Sequence, residues 1–124
     1  MTLQELYAQI GGDYDQALRV LRVEKLVDKH IRKLTKGGVV DALLAAGETM
    51  DPTQLFETAH AVKGVCGNLG LKKLAAAASE ITEEYRPGSA RQFSDAEIRE
   101  KLGALDALYQ QTKDGITQYE ESNA

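Results

Sequence analysis

The chain has 124 residues, 43% of them hydrophobic and 27% charged, which suits one folded domain and leaves no room for a second catalytic one. Fifteen Lys and Arg against nineteen Asp and Glu leave a net charge of -4, whereas a nucleic-acid binder needs a strongly cationic surface to displace counterions. One cysteine forms no internal disulfide and points to a reducing compartment; the absence of Trp, with 6% aromatic content, argues against a base-stacking platform.

The segment from Met1 to Ile10 lacks a cationic start and carries Glu5 inside its apolar pattern, unlike an export signal. The longest apolar run near the middle, Leu74 to Ala78, is far short of the roughly 20 residues of a membrane span. No membrane association and a cytoplasmic location are expected, whether the chain is free-standing or a piece of a larger one.

Leucine and alanine dominate, Pro52 and Pro87 are the only prolines, and no run alternates apolar and polar residues as a strand would. A first short helix is predicted over Thr2 to Ile10, with Leu3, Leu6, Tyr7 and Ile10 on one stripe and Gly11-Gly12 ending it. Asp13 caps a helical region reaching about Lys36, in which Val20, Val27, Ile31 and Leu34 line one side and Leu21, Val23 and Leu26 widen it. Gly37-Gly38 interrupts. A short helix follows from Val39 to Ala46, stopped by Gly47. Whether Asp13 to Gly47 is one broken rod or two to three helices is open at this level.

The next helix, over about residues 52–68, has a sharper start. Asp51 caps it, Pro52 sits in the first turn where no amide partner is needed, and Gln54 completes a pattern like a capping box. A helix from about Leu71 to Tyr85 follows, broken by Arg86-Pro87-Gly88. The last begins at Ser94, with Glu97 three residues on as a second capping box. It carries Ile98, Leu102, Leu105, Tyr109, Thr112, Ile116 and Tyr119 at spacings of three and four, a seam for packing along a bundle. The pattern as a whole predicts a single all-α domain over residues 1–124: an antiparallel up-and-down four-helix bundle with an extra short N-terminal helix over one end.

The helix over 52–68 is the informative one. Leu55, Ala59, Val62, Cys66 and Leu69 fall on one buried stripe, and His60 lies roughly opposite. Lys63, Gly64 and Gly67 follow it by three, four and seven positions and share its exposed side. A surface histidine is ordinarily just a tolerated polar residue. Two interior glycines, however, each cost a helix up to about 1 kcal/mol relative to alanine, and a chain rich in alanine places them beside this imidazole. They clear a path for a bulky partner. Lys63, one turn on, can meet anionic oxygens brought to the histidine. A histidine, a lysine and two glycines on one face suit reversible phosphoryl transfer to a side-chain nucleophile.

His60-Ala61-Val62-Lys63-Gly64, continued by Gly67-Asn68-Leu69-Gly70, resembles the signature of histidine-containing phosphotransfer (HPt) domains of bacterial two-component phosphorelays. Ala59 before the histidine and the alanine-rich helix after Gly70 fit as well. The resemblance implies that His60 is phosphorylated, that Lys63 stabilises the phosphoryl oxygens, and that Gly64 and Gly67 leave room for a receiver domain. The phosphoryl group would come from one response-regulator receiver, or a hybrid histidine kinase, and pass to another receiver. The receiver would supply the acidic pocket and magnesium, and this chain would hold no cofactor. Such a protein is a phosphohistidine carrier without kinase activity of its own. The chain departs from the pattern at Val65, where the family often has a small residue, and in a longer loop from Gly47 to Asp51.

Thr53, Phe56, Glu57, His60, Lys63, Gly64 and Gly67 form a ridge on which a partner could dock, with Phe56 the candidate apolar anchor. His30 lies in a basic surface with Lys29, Arg32 and Lys33 and is read as structural or solvated. Cys66 reads as a small core residue. Two histidines without carboxylates at ligand spacing give no metal site, and Gly64, Gly67 and Gly70 match no nucleotide-binding pattern. The acidic pairs Glu83-Glu84 and Glu120-Glu121 read as solvated faces. Besides the relay carrier, the sequence leaves open the phospho-accepting domain of a chemotaxis-type histidine kinase and a non-phosphorylated adaptor bundle that binds receivers. An enzyme using His60 as general base lacks a second catalytic group in register. A monomer is the simplest expectation.

Overall fold

Capping side chains set most of the helix limits. The structure, a computed structural model, describes residues 1–123, and seven α-helices occur among them: α1 (Leu3–Ile10), α2 (Tyr14–Leu21), α3 (Glu24–Leu34), α4 (Val39–Thr49), α5 (Pro52–Asn68), α6 (Lys72–Glu84) and α7 (Asp95–Ser122). Thr2 and Ser94 each accept from the N–H of the residue three on, while Glu5 and Glu97 accept in return from the cap N–H, so both form capping boxes. Asp13 and Asp51 cap α2 and α5 through one carboxylate oxygen each. Pro52 opens α5, and Gly11 closes α1 in the left-handed conformation, with φ of 71°.

The stretch from Asp13 to Lys36 is two helices. The break falls at Arg22, whose φ of 77° lies in the left-handed region and whose N–H closes α2 on the Leu18 carbonyl. That one residue resets the helical phase. Val27, Ile31 and Leu34 are buried, but Val20, Val23 and Leu26 are exposed, so the expected apolar stripe fails in its first half. Gly47 does not stop α4 either. A Cβ there would meet Leu102 Cδ1 at 2.7 Å, so this glycine serves the crossing of α4 and α7. The helix ends at Met50, with φ of 57°. Only Met50 and Asp51 separate α4 from α5, in place of the longer loop expected after Gly47.

The fold is all-α, with no strand among the described residues. Four helices close the bundle: α5 packs on α4 and α6, and α7 packs on α6 and α4. The two-residue and three-residue connectors on either side of α5 make α4, α5 and α6 antiparallel neighbours. Leu55, Ala59, Val62, Cys66 and Leu69 of the α5 stripe are all buried, and so is the whole predicted seam of α7 from Ile98 to Tyr119. Three helices, not one, precede the bundle, because the chain breaks at Arg22 and again at Gly38, where φ is 73°.

The long α7 organises them. At 28 residues it spans about 42 Å. Its first half lies against α4 and α6, where Lys101 pairs with Glu80 at 3.2 Å. Its second half holds α1 and α3: Gly115 sits under Ile10 and Leu6, Tyr119 donates to Asp28, and Glu120 pairs with Lys36 at 2.7 Å. The α1–α2 turn is in turn pinned to the end of α5. Tyr7 donates its hydroxyl hydrogen to the Leu69 carbonyl at 2.7 Å, and the Asp13 N–H donates to the Gly70 carbonyl at 2.8 Å. Gly70 has φ of 70°, and a Cβ there would collide with the Asp13 carbonyl. These contacts anchor the end of α5.

Candidate functional site

The outward position of His60 follows from where α5 buries its stripe. At about 100° per residue, His60 stands some 140° from the middle of the buried side. Its imidazole is exposed, as are Glu57, Ala61 and Gly64 on the same side. A Cβ added at Gly64 or Gly67 would meet no atom within 4 Å. The surface beside the ring is therefore bare helix backbone, open to solvent.

One flank of this surface is built by α6. The Phe56 ring, one turn before His60 and half-buried, stacks on the imidazole with centroids 5.8 Å apart and planes 16° from parallel. The Arg86 guanidinium lies over Phe56, 5.5 Å from its centroid. Arg86 also donates from Nε and Nη2 to both oxygens of Glu83, at 3.0 and 2.9 Å. Lys63 stands near the same carboxylate, its Nζ 3.9 Å from Oε1, an ion pair longer than a hydrogen bond. The hydrogen bonds from Arg86 hold the Glu83 carboxyl below the usual carboxylate range, and the charges of Arg86, Lys63 and His60 lower it further. Phe56 thus lies on the α6 side, away from the N-terminal helix.

The other flank is apolar. Val65, about 140° round α5 from His60, is exposed and lines a groove of about 410 Å³ with Leu21, Leu34, Val39 and Leu69. His30 and Lys33 stand at its rim. His30 is exposed, but no small-residue clearing on its own helix bares the backbone beside it. Cys66 is fully buried, and burial pushes its thiol up to about 12, so it is a core residue and no nucleophile. Among the described residues no cluster of three or more His, Cys, Asp or Glu could hold a metal ion.

A family model, the Hpt domain, matches residues 27–115, from α3 through most of α7. The chain belongs to the Hpt family. No curated protein and no solved structure matches it significantly. Hpt domains are phosphotransfer carriers of two-component signalling, generally not enzymes, and they interact with receiver domains and kinases. In this Hpt domain the matched segment contains α4 to α6 entire, and with them the exposed histidine and the Lys63-Gly64 pair; α1 and α2 lie outside it. No helix among the described residues is long and apolar enough to cross a membrane.

The surroundings of three acidic residues, one of them beside the site, escape a reading of the sequence. Glu83 and Arg86 carry an i,i+3 ion-pair spacing, which signals a local pair, but only the packing of α6 on α5 brings them beside His60. Glu84, expected in a solvated acidic pair, is buried, with its side chain 2% exposed. It accepts from Arg91 and from the N–H groups of Gln92 and Phe93, which fixes the loop between α6 and α7. Glu120 likewise sits in a contact, with Lys36 and Arg32.

Proposed function

We propose that His60 is the phospho-accepting residue of a relay: it takes a phosphoryl group from a receiver aspartate and passes it to the aspartate of a second receiver. The single observation that carries this is the exposed imidazole beside Gly64 and Gly67, where added side-chain atoms would stand in empty space. An in-line transfer needs the donor's phosphorus within reach of a ring nitrogen, and a globular receiver reaches it only where neighbouring side chains are missing.

In the forward step the lone pair of one imidazole nitrogen forms the N–P bond. The acyl-phosphate O–P bond breaks, and the carboxylate leaves with the electron pair. The other ring nitrogen keeps its proton. The return step to the second receiver is the reverse, and nothing is consumed. Phosphoryl transfer through a loose transition state is governed mainly by positioning and charge. Phe56 holds the imidazole by stacking, and Lys63, half-exposed one turn on, supplies positive charge to the phosphoryl oxygens. Phe56, Gly64 and Gly67 form the contact with the receiver. Val65 and the apolar groove with His30 and Lys33 at its rim continue that surface. They offer apolar area edged with positive charge to a partner whose reacting face is acidic.

The test is incubation with purified receiver domains charged by acetyl phosphate. The wild-type chain should gain an acid-labile, base-stable phosphate that His60→Gln lacks and His30→Gln retains. Lys63→Ala should accept it about tenfold more slowly with an unchanged helical spectrum, the order of one charge-assisted contact. Labelling that survives in His60→Gln, or binding of receivers without any labelling, would overturn the reading; the latter would make the chain an adaptor.

A further inference from the structure

The carboxylate of Glu83 is out of place beside a group meant to carry a dianion. It lies on the flank of His60 where two cations, Lys63 and Arg86, are both turned toward it. Both oxygens are engaged by Arg86, at 3.0 and 2.9 Å, and Lys63 stands 3.9 Å from one of them. Arg86 also lies over Phe56, which stacks on the imidazole itself. Nothing in the packing demands this acid. Glu83 is exposed, and its neighbour Glu84 already performs the structural task of holding the following loop.

Resting on the assignment of His60 above, we propose that Glu83 is a built-in competitor of the phosphoryl group: by pairing with Lys63 and Arg86 it limits the positive charge available to phosphohistidine and keeps that group ready to leave. A carrier must release what it accepts. A phosphoryl dianion on His60 draws Lys63 across first, because its pairing with Glu83 is long and both side chains are open to solvent. Arg86 follows only by giving up two short hydrogen bonds. The carboxylate stays nearby and repels the dianion throughout. Both effects raise the phosphorylated state relative to the free one. Glu83 is a positioning residue here, since it acts through the two cations and touches no reacting atom.

The experiment loads the protein with potassium phosphoramidate, which needs no receiver: the N–P bond of the donor breaks, ammonia leaves, and a ring nitrogen of His60 takes the phosphoryl group. The loss of phosphohistidine in buffer is then followed by phosphorus NMR and intact mass. Glu83→Gln should lengthen its half-life about threefold, the order expected for removing one screened charge. Glu83→Asp, which keeps the charge, should return most of the way to wild type, and high salt should narrow the gap between Gln and wild type. Glu80→Gln, one turn earlier on α6, should leave the half-life unchanged. A structural role would move thermal midpoints and would be indifferent to salt. Equal half-lives for wild type and Glu83→Gln, with His60 fully loaded in both, would overturn this proposal and leave the relay reading standing. A wild-type chain that takes up no phosphoryl group at His60 would overturn both.

Discussion

Two pairs of glycines inside helices do opposite things in this molecule. At Gly47 in α4 and Gly115 in α7, an added Cβ would meet Leu102 Cδ1 at 2.7 Å and Ile10 Cγ2 at 2.6 Å. Those glycines let a neighbouring helix come close. At Gly64 and Gly67 in α5, an added Cβ would meet nothing within 4 Å. Packing does not require them, yet each costs the helix up to about 1 kcal/mol relative to alanine. The first pair serves the inside of the fold, and the second leaves the helix surface beside His60 bare. On the proposed role of His60, that contrast has a physical meaning: the chain gives up helix stability beside the imidazole, where a second protein would approach.

The contrast can be broken most forcefully with bulk. Gly64→Leu should keep or raise the thermal midpoint, since leucine is a far better helix former and has room to stand. Transfer from a charged receiver should fall about a hundredfold or more, a loss of about 2.7 kcal/mol or greater at the contact. Gly67→Leu should behave alike. Stopped-flow or quenched transfer assays run beside thermal melts read both quantities. Wild-type transfer in both leucine variants would mean that the clearing has no partner.

The packing pair should respond the other way. Gly115→Ala drives a methyl group into Ile10, and the gain in helix propensity does not offset it, so a net loss of about 1–2 kcal/mol is expected in denaturant unfolding. Transfer to His60 should persist under conditions where the variant stays folded, because α1 and the second half of α7 do not contribute to the face around the imidazole. A stabilised Gly115→Ala would show that Ile10 yields freely, and the division between the two kinds of glycine would lose one side.

Much of this was legible from residues alone because it depends on local rules. The limits of α5, the Ser94–Glu97 capping box, the buried stripe of α5 and the seam of α7 all follow from periodicity and capping side chains. So does the outward face that carries His60, Lys63, Gly64 and Gly67. The Thr2–Glu5 box went unread, and Asp51–Gln54 forms only a one-way cap. The rest of what escaped needed a second element. Gly47 looks like a helix stop until Leu102 is seen against it. Arg22 has no residue type that announces a left-handed break, and the phase change it causes turns Val20, Val23 and Leu26 outward. Glu83 and Glu84 are adjacent acids with the same local pattern, yet one lies beside His60 and the other is buried under a loop. A one-dimensional pattern gives the face of a helix but not which neighbour covers it.

A finer test separates access from helix propensity, and Gly103 supplies it. This glycine is also interior to a helix, α7, and a Cβ there would also meet nothing within 4 Å. It lies on a different helix, outside the face that carries the imidazole, and has no part in the site. Gly103→Ala and Gly64→Ala should therefore raise stability by about the same 0.5–1 kcal/mol in parallel denaturant titrations. They should differ in transfer. Alanine at 103 should leave the rate from a charged receiver unchanged. Alanine at 64 sets a methyl group one turn from His60 on the proposed docking face, and the rate should drop about threefold to tenfold, or about 0.7–1.4 kcal/mol. Matching stability gains with unequal transfer would establish that open space alone does not mark the site; open space beside the imidazole does. If Gly64→Ala transfers as fast as Gly103→Ala while Gly64→Leu fails, the receiver rides at least a methyl group's thickness above the helix, and the contact is made by side chains rather than by bare backbone.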